Sequence, residues 1–397
     1  MEIVVRPGDT LFLYSHLFAV PLNLIIDSNP HRDPQYLKPK EKVNIPGYIS
    51  VPYCVKFGDT LSKLSADKNC NIDAIAVLNQ NKHLDQLKTG EIIYVPERVI
   101  SPFTTTKNAY DYQILIKIIE RLQKAYPFIT IETIGHSVLG HKIQEIRVGK
   151  GEKKVHMNAS FHANEWITTM VLMNLLNQYL LCLTNGTLMR GQKVSHLYER
   201  VELSVVPMVN PDGVDLVLNG PPLDWKEKVI EMNEGSDDFI HWKANIRGID
   251  LNRQFPANWD LCKKNSLVNG PGSRDFPGDS PLTEPEAITM AELAQKHSFD
   301  RLIAFHTQGE EFYWGYDGHE PDESHVIAEE FERISGYKAV RYVDSHAGYK
   351  DWFIQEFKRP GFTLELGRGI NPLPLSQFSK ILHCVEGIFA VALSYGI

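Results

Sequence analysis

The segment "VVRPGDTLFLYS" at residues 4–15 returns as "CVKFGDTLSKLS" at 54–65, and at this offset of 50 residues the register holds without a gap. Asp9 answers Asp59, Leu11 answers Leu61, Asn29 answers Asn79 and Pro46 answers Pro96. Such a repeat confines the front of the chain to two copies of one supersecondary unit. Each copy reads as a short strand, a Gly-Asp-Thr start in which Asp or Thr can cap a helix, an apolar stretch ending in Asn, and a closing strand ending in Ile-Pro or Val-Pro. In the first copy, Val20-Pro21 is expected to interrupt the second helix. Units of ~45–50 residues lie at the small end for independent folding.

The chain has 397 residues, enough for two or three units. We divide it into module 1 (residues 1–47), module 2 (48–97), a linker (98–107) and a large domain (108–397). The linker carries Pro102, Thr104, Thr105 and Thr106 and has no periodicity. Beyond it, helical stripes such as "YDYQILIKIIERLQKAY" alternate with short apolar runs such as "VHMNASF" and "VELSVVPMV". That alternation predicts an α/β domain with a mostly parallel or mixed sheet, whose sites collect at the carboxyl ends of strands. The run "MVLMNLLNQYLLCL" is broken by Asn174, Asn177 and Gln178, so it reads as a core helix rather than a membrane span.

Residues 1–98 carry eleven Lys or Arg against eleven Asp or Glu, so the formal charge of −8 falls on the remainder. A neutral front and an acidic back exclude nucleic acid as the expected partner, because phosphate binding needs a basic footprint. Five cysteines without a Cys-x-x-Cys pair give neither a disulfide scaffold nor a cysteine zinc site. The opening "MEIVVRPGDT" has no signal-peptide pattern. The expectation is synthesis for the cytoplasm.

In "NASFHANEW", His162 and Glu165 follow an apolar run and precede an apolar helix, so they stand where a strand ends and a helix begins. Residues three apart face the same way on a helical turn. An imidazole nitrogen and a carboxylate oxygen at that spacing can reach one zinc ion at ~2.0–2.2 Å. A catalytic zinc needs a third protein ligand, and "RLIAFHTQG" offers His306 at the end of another apolar run. "GFTLELG" places Glu365 in an apolar strand bounded by glycines, where an idle carboxylate is costly.

The front copies resemble LysM, the βααβ module that binds N-acetylglucosamine-containing glycans such as peptidoglycan; "PGDTL", "SNP" and "VNIP" carry the likeness in the first, "FGDTL", "LNQN" and "IYVP" in the second. From about residue 108 the chain resembles the zinc metallocarboxypeptidases of the carboxypeptidase A type. The carriers are "IGHSVLGHKI", "HANEW", "VPMVNPDGV", "RGIDLNRQF", "FPGDSPLTEPEA", "FHTQG" and "FTLELG", in family order. The resemblance implies a mixed-sheet α/β catalytic domain holding one Zn2+ per chain through His162, Glu165 and His306. It makes Glu365 the base that takes a proton from the attacking water and returns it to the leaving amine. It makes Asp250 the carboxylate that orients His162, and Asn252 with Arg253 the pair that grips a substrate carboxylate. For the oxyanion it implies a basic residue, and Arg247 is preferred to Lys243 because its fork is always charged. For the substrate-capping Tyr, Tyr342 is preferred to Tyr349.

Asn164 stands where many family members carry Arg, and Lys350 takes a position that lines the family's specificity pocket and invites a carboxylate. Two LysM-like modules before such a domain resemble the bacterial γ-D-glutamyl-L-diamino acid endopeptidases, associated with sporulation. That resemblance implies cleavage of the muropeptide stem between γ-linked D-Glu and meso-diaminopimelate, on an enzyme held to wall glycan. One rival reading is a broad carboxypeptidase trimming ordinary peptides; another is a wall-binding protein whose peptidase domain is inactive.

Overall fold

In the computed structural model of the chain, residues 1–104 and 108–396 are described. The two front copies fold alike. In module 1 the strands Glu2–Val4 and Lys42–Asn44 pair antiparallel around helices Leu11–Phe18 and Leu22–Asp27. In module 2 the strands Tyr48–Cys54 and Ile92–Arg98 enclose helices Leu61–Asp67 and Ile72–Leu78.

The repeated residues have repeated jobs. Thr10 and Thr60 cap their first helices, accepting from Leu13 N at 3.1 Å and Lys63 N at 3.2 Å. Asn29 and Asn79 tie each second helix to its closing strand: Asn29 Nδ2 donates to Ile25 O and Asn44 O, and Asn79 Nδ2 donates to Ile75 O and Tyr94 O. The expected interruption at Val20-Pro21 does not occur. Pro21 occupies the N-cap of Leu22–Asp27, the place Asn71 holds in the second copy. A helix start tolerates Pro because the N–H it lacks has no intrahelical partner there.

The large domain is built on an eight-stranded mixed sheet. Its order is Lys338–Val340, Glu311–Tyr313, Gly361–Glu365, Arg301–His306, Lys153–Ala159, Val201–Val206, Lys142–Val148 and Thr130–His136. The four central strands, Gly361–Glu365 through Val201–Val206, run parallel; Glu311–Tyr313 and Lys142–Val148 pair antiparallel to them on either side, with Lys338–Val340 parallel to the former and Thr130–His136 antiparallel to the latter. All six residues of Arg301–His306 are buried, as expected of a strand covered on both faces. The helix Ile167–Asn185, long and apolar enough to cross a membrane, is instead mostly buried against the protein.

The segment read as a linker does not hang free. Phe103 N donates to Asn177 Oδ1 and Thr104 Oγ1 to Asn174 Oδ1, both at 2.7 Å. The polar residues that break the apolar run of helix Ile167–Asn185 are therefore the docking points of the connection. Arg98, assigned to the linker, belongs to the closing strand of module 2 and donates to Phe18 O and Thr184 O. Residues 105–107 of the proposed linker lie outside the described residues. Module 1 also rests on the large domain. Asp27 accepts from Tyr198 Oη at 2.9 Å and pairs with Lys150 at 3.0 Å, and Gly47 N donates to Ala125 O at 2.7 Å. The two modules are joined to each other by Arg6, whose guanidinium grips Asp73 at 2.6 and 2.8 Å.

Candidate active site

The strand Lys153–Ala159 leaves the sheet through Ser160, whose backbone is left-handed at φ 50 and whose N–H is held by Thr168 Oγ1 at 3.0 Å. That turn delivers His162, followed by a short 3-10 turn, Ala163–Glu165, that brings Glu165 back beside it. His306 is the last residue of its strand, and Glu365 is the last of the neighbouring strand, opposite His306 in the parallel register. The sheet thus presents His162, Glu165, His306 and Glu365 at one set of carboxyl ends, as the pattern of strands and helices predicts.

His162, Glu165 and His306 are buried, and their donor atoms all lie within 4.8 Å of one another. His162 Nδ1 is 2.9 Å from Glu165 Oε1, His306 Nδ1 is 3.0 Å from Glu165 Oε2, and the two Nδ1 atoms are 3.2 Å apart. Ligands at ~2.0–2.2 Å from one tetrahedral ion sit ~3.3–3.6 Å apart, so the trio needs only a slight opening to hold one. Two imidazoles and one carboxylate form a zinc donor set that leaves a fourth position open. Burial pushes His306 below its usual value, favouring the neutral ring that a metal needs. Burial alone would raise Glu165, but the two imidazoles overturn it and hold the carboxylate low.

Behind His162 stands Asp250, fully buried, with Oδ1 3.3 Å from His162 Nε2. A carboxylate on the outer nitrogen fixes the ring and leaves Nδ1 for the centre of the trio. Asp250 Oδ2 lies 2.8 Å from Lys243 Nζ and 3.5 Å from Arg253 Nε. Burial disfavours this carboxylate, yet Lys243 and His162 keep it well below the usual range. Asp275 Oδ1 bridges the same two cations, 3.2 Å from Lys243 Nζ and 3.4 Å from Arg253 Nη2.

Glu365 opens on a cleft of about 160 Å³ lined also by Asn252, Tyr313, Thr363, Lys350 and Asp351. Burial first, and the Glu165 charge second, lift Glu365 well above the ordinary carboxylate range. A carboxyl shifted in that direction is suited to taking and returning a proton.

Several expected site residues lie elsewhere or are already engaged. Arg247 is half exposed, pairs with Glu284 at 3.6 Å and lines a different cleft with Trp225 and Met232. Lys243 instead points to Asp250 beside the trio, and its charge acts on His162, Glu165 and Glu365. Tyr342 is turned away, donating to Glu320 Oε1 at 2.9 Å, while its loop neighbours Val343 and Ser345 line the cleft. Tyr349 is buried with its hydroxyl on Met290 O, so neither tyrosine faces the trio. Lys350 lines the cleft, but its ammonium is buried against Asp351 at 2.6 Å and Gly315 O at 2.9 Å. Asn252 Oδ1 accepts from Tyr349 N, and buried Asn164 donates to His241 O at 3.4 Å.

Sequence reasoning missed Asn371, whose Nδ2 reaches Glu165 Oε1 at 3.4 Å and whose Oδ1 accepts from Thr307 Oγ1 at 2.8 Å. An Asn before Pro reads as an ordinary turn, so no signal marked it. Asp275 was missed because it is one acid among several in a loop.

The zinc carboxypeptidase family profile matches residues 115–383, and the LysM domain profile matches twice, at 3–46 and 53–96. Gamma-D-glutamyl-L-diamino acid endopeptidase 1 of Lysinibacillus sphaericus is 48% identical over 395 residues, covering 99% of this chain and 100% of that protein. The uncharacterized protein YqgT of Bacillus subtilis (strain 168) is 49% identical over 293 residues, covering 72% of this chain and 77% of its own. Among solved structures, bovine thrombin-activatable fibrinolysis inhibitor in complex with tick carboxypeptidase inhibitor superposes with a TM-score of 0.56 at 18% identity, covering 73% of this chain and 98% of that one. At that identity the likeness concerns the fold.

Proposed function

The chain belongs to the zinc carboxypeptidase family, with two LysM domains ahead of its peptidase domain, and from that premise we propose that it hydrolyses the γ-D-glutamyl–meso-diaminopimelate bond of peptidoglycan stem peptides while its LysM pair holds wall glycan. The observation that carries the chemistry is the convergence of His162, Glu165 and His306 beside Glu365 at adjacent strand ends. The near full-length likeness to an endopeptidase named for the γ-D-glutamyl-diamino acid linkage supports the substrate.

His162 Nδ1, Glu165 and His306 Nδ1 are the atoms that would hold one zinc ion. When bound, zinc lowers the pKa of water and polarises a carbonyl. Glu365 receives the proton of the attacking water and delivers it to the leaving amine. Lys243, close to the trio, donates to the oxygen on which negative charge develops. Arg253 is partly exposed and offers its fork to a diaminopimelate carboxylate. Lys350 has its charge matched by Asp351 and shapes the cleft instead of binding the substrate's carboxylate. The LysM pair raises the local concentration of stem peptide.

The test is the rate of zinc-loaded full-length protein on L-Ala-γ-D-Glu-meso-diaminopimelate, compared with Glu365→Gln, with zinc content measured in both. Loss of a general base costs about 10²- to 10⁴-fold with zinc retained. An active Glu365→Gln enzyme would remove Glu365 from the chemistry. For the glycan partner, full-length protein should sediment with insoluble peptidoglycan, and a protein that stays in the supernatant contradicts the LysM role.

A further inference from the structure

The cationic wall beside the trio is already occupied. Lys243 and Arg253 share Asp250 on their inner side, where that carboxylate is fully buried and also faces His162. On their outer side they share Asp275, whose Oδ1 contacts both, while its Oδ2 meets Arg274 Nε at 3.2 Å. The two acids differ in accessibility. Asp250 has no exposed side-chain surface, whereas Asp275 is 34% exposed, as is Arg253. Three cations, Lys243, Arg253 and Arg274, thus share two carboxylates, and the outer face of Arg253 is matched by Asp275 before any anion arrives.

We propose that Asp275 stands in the place of the substrate's carboxylate in the resting enzyme, so that binding exchanges one carboxylate for another on Arg253. This rests on the reading above that Arg253 receives a diaminopimelate carboxylate. Three observations carry it. Asp275 Oδ1 lies 3.4 Å from Arg253 Nη2, and both side chains are partly open to solvent, so a carboxylate can reach the same nitrogen. The carboxylate does not hold its own loop in place. Ser273 O accepts from Lys243 N at 2.8 Å and Ala244 N at 3.0 Å, and Phe276 O accepts from Asp250 N at 2.8 Å. The backbone at Asp275 is left-handed at φ 65, a conformation that Asp and Asn tolerate better than most residues. The side chain can therefore swing away without unravelling the segment.

A carboxylate that competes with substrate makes the site selective. A ligand with a single weak anion does not displace Asp275, whereas one anchored elsewhere by its peptide does. Asp275 acts through Arg253 and Lys243 and is a positioning residue.

The experiment measures kcat and KM for the zinc-loaded wild type, Asp275→Asn and Asp275→Ser. The substrates are L-Ala-γ-D-Glu-meso-diaminopimelate and the same tripeptide with both diaminopimelate carboxyls amidated. Removing the competitor should lower KM for the free acid about two- to fivefold, the upper range of a partly exposed ion pair, with kcat held and the amidated peptide indifferent. An unchanged or raised KM for the free acid, an equal shift on both substrates, or failure of both variants to fold overturns the proposal. A wild type that gives the same KM for both substrates overturns the underlying reading of Arg253 instead, whatever the variants do.

Discussion

Replacing Asp250 by Asn tests whether the buried charge network orients the metal site or merely fills space. The carboxylate faces His162 Nε2 at 3.3 Å, Lys243 Nζ at 2.8 Å and Arg253 Nε at 3.5 Å, and no part of it reaches solvent. Two losses follow, and they separate experimentally. The first is orientation of His162: carboxylates behind metal-bound histidines contribute about 10- to 100-fold in affinity, or roughly 1.4–2.7 kcal/mol. The second is charge balance. Breaking a buried ion pair costs about 3–5 kcal/mol, and the lower end applies because Asp275 still lies 3.2 Å from Lys243. Chelator competition at fixed pH reads the first and urea denaturation of the metal-free protein reads the second. Asp250→Asn should bind zinc at least tenfold more weakly. A variant that loses stability but keeps its zinc affinity would refute the orienting role.

Glu286 is completely buried, and burial, reinforced by Asp212 and Glu284, lifts its carboxyl from 4.5 to about 7. The folded state therefore holds a proton that the unfolded chain has released, so stability falls as pH rises from 4.5 through 7, by up to ~3 kcal/mol. Glu286→Gln should abolish that slope and melt above wild type at pH 8; parallel melting curves between pH 5 and 8 would contradict the shift. Gly47 joins the two modules where they press on the peptidase domain. Its backbone is at φ 73, and an added Cβ would lie 2.8 Å from Thr184 Cβ. Gly47→Ala should cost about 2 kcal/mol or more in urea denaturation, and a neutral result would show that the module is loosely seated.

The cluster of His162, Glu165 and His306 was legible because its signals are local. An apolar run followed by His, with Glu three residues on, fixes both a strand end and a shared face. His306 and Glu365 likewise close apolar runs bounded by glycine. The repeat was legible because Thr10 and Thr60, or Asn29 and Asn79, make the same bonds in both copies. The positions of Lys243, beside Asp250, and of Arg247, at a different cleft, were not legible. Both lie on an irregular loop whose path is set by backbone bonds to Ser273 and Phe276, which are distant in sequence, and the permanent charge of arginine says nothing of which side chain that path turns toward the trio. Spacing to Glu365 suggested Tyr342, but a loop residue's spacing does not set its direction, and Glu320 holds that hydroxyl. Pro and Thr made 98–107 read as a spacer, although Asn174 and Asn177 stand ready in the facing helix to receive Phe103 and Thr104.

The most direct test of the central claim is mass spectrometry of the products formed by the zinc-loaded, full-length protein. The substrates are L-Ala-γ-D-Glu-meso-diaminopimelate and the same peptide extended by D-Ala. Release of L-Ala-D-Glu from both, lost in Glu365→Gln, is the predicted outcome. Intact stem peptides, alongside ordinary L-peptides shortened by their last residue, would contradict it.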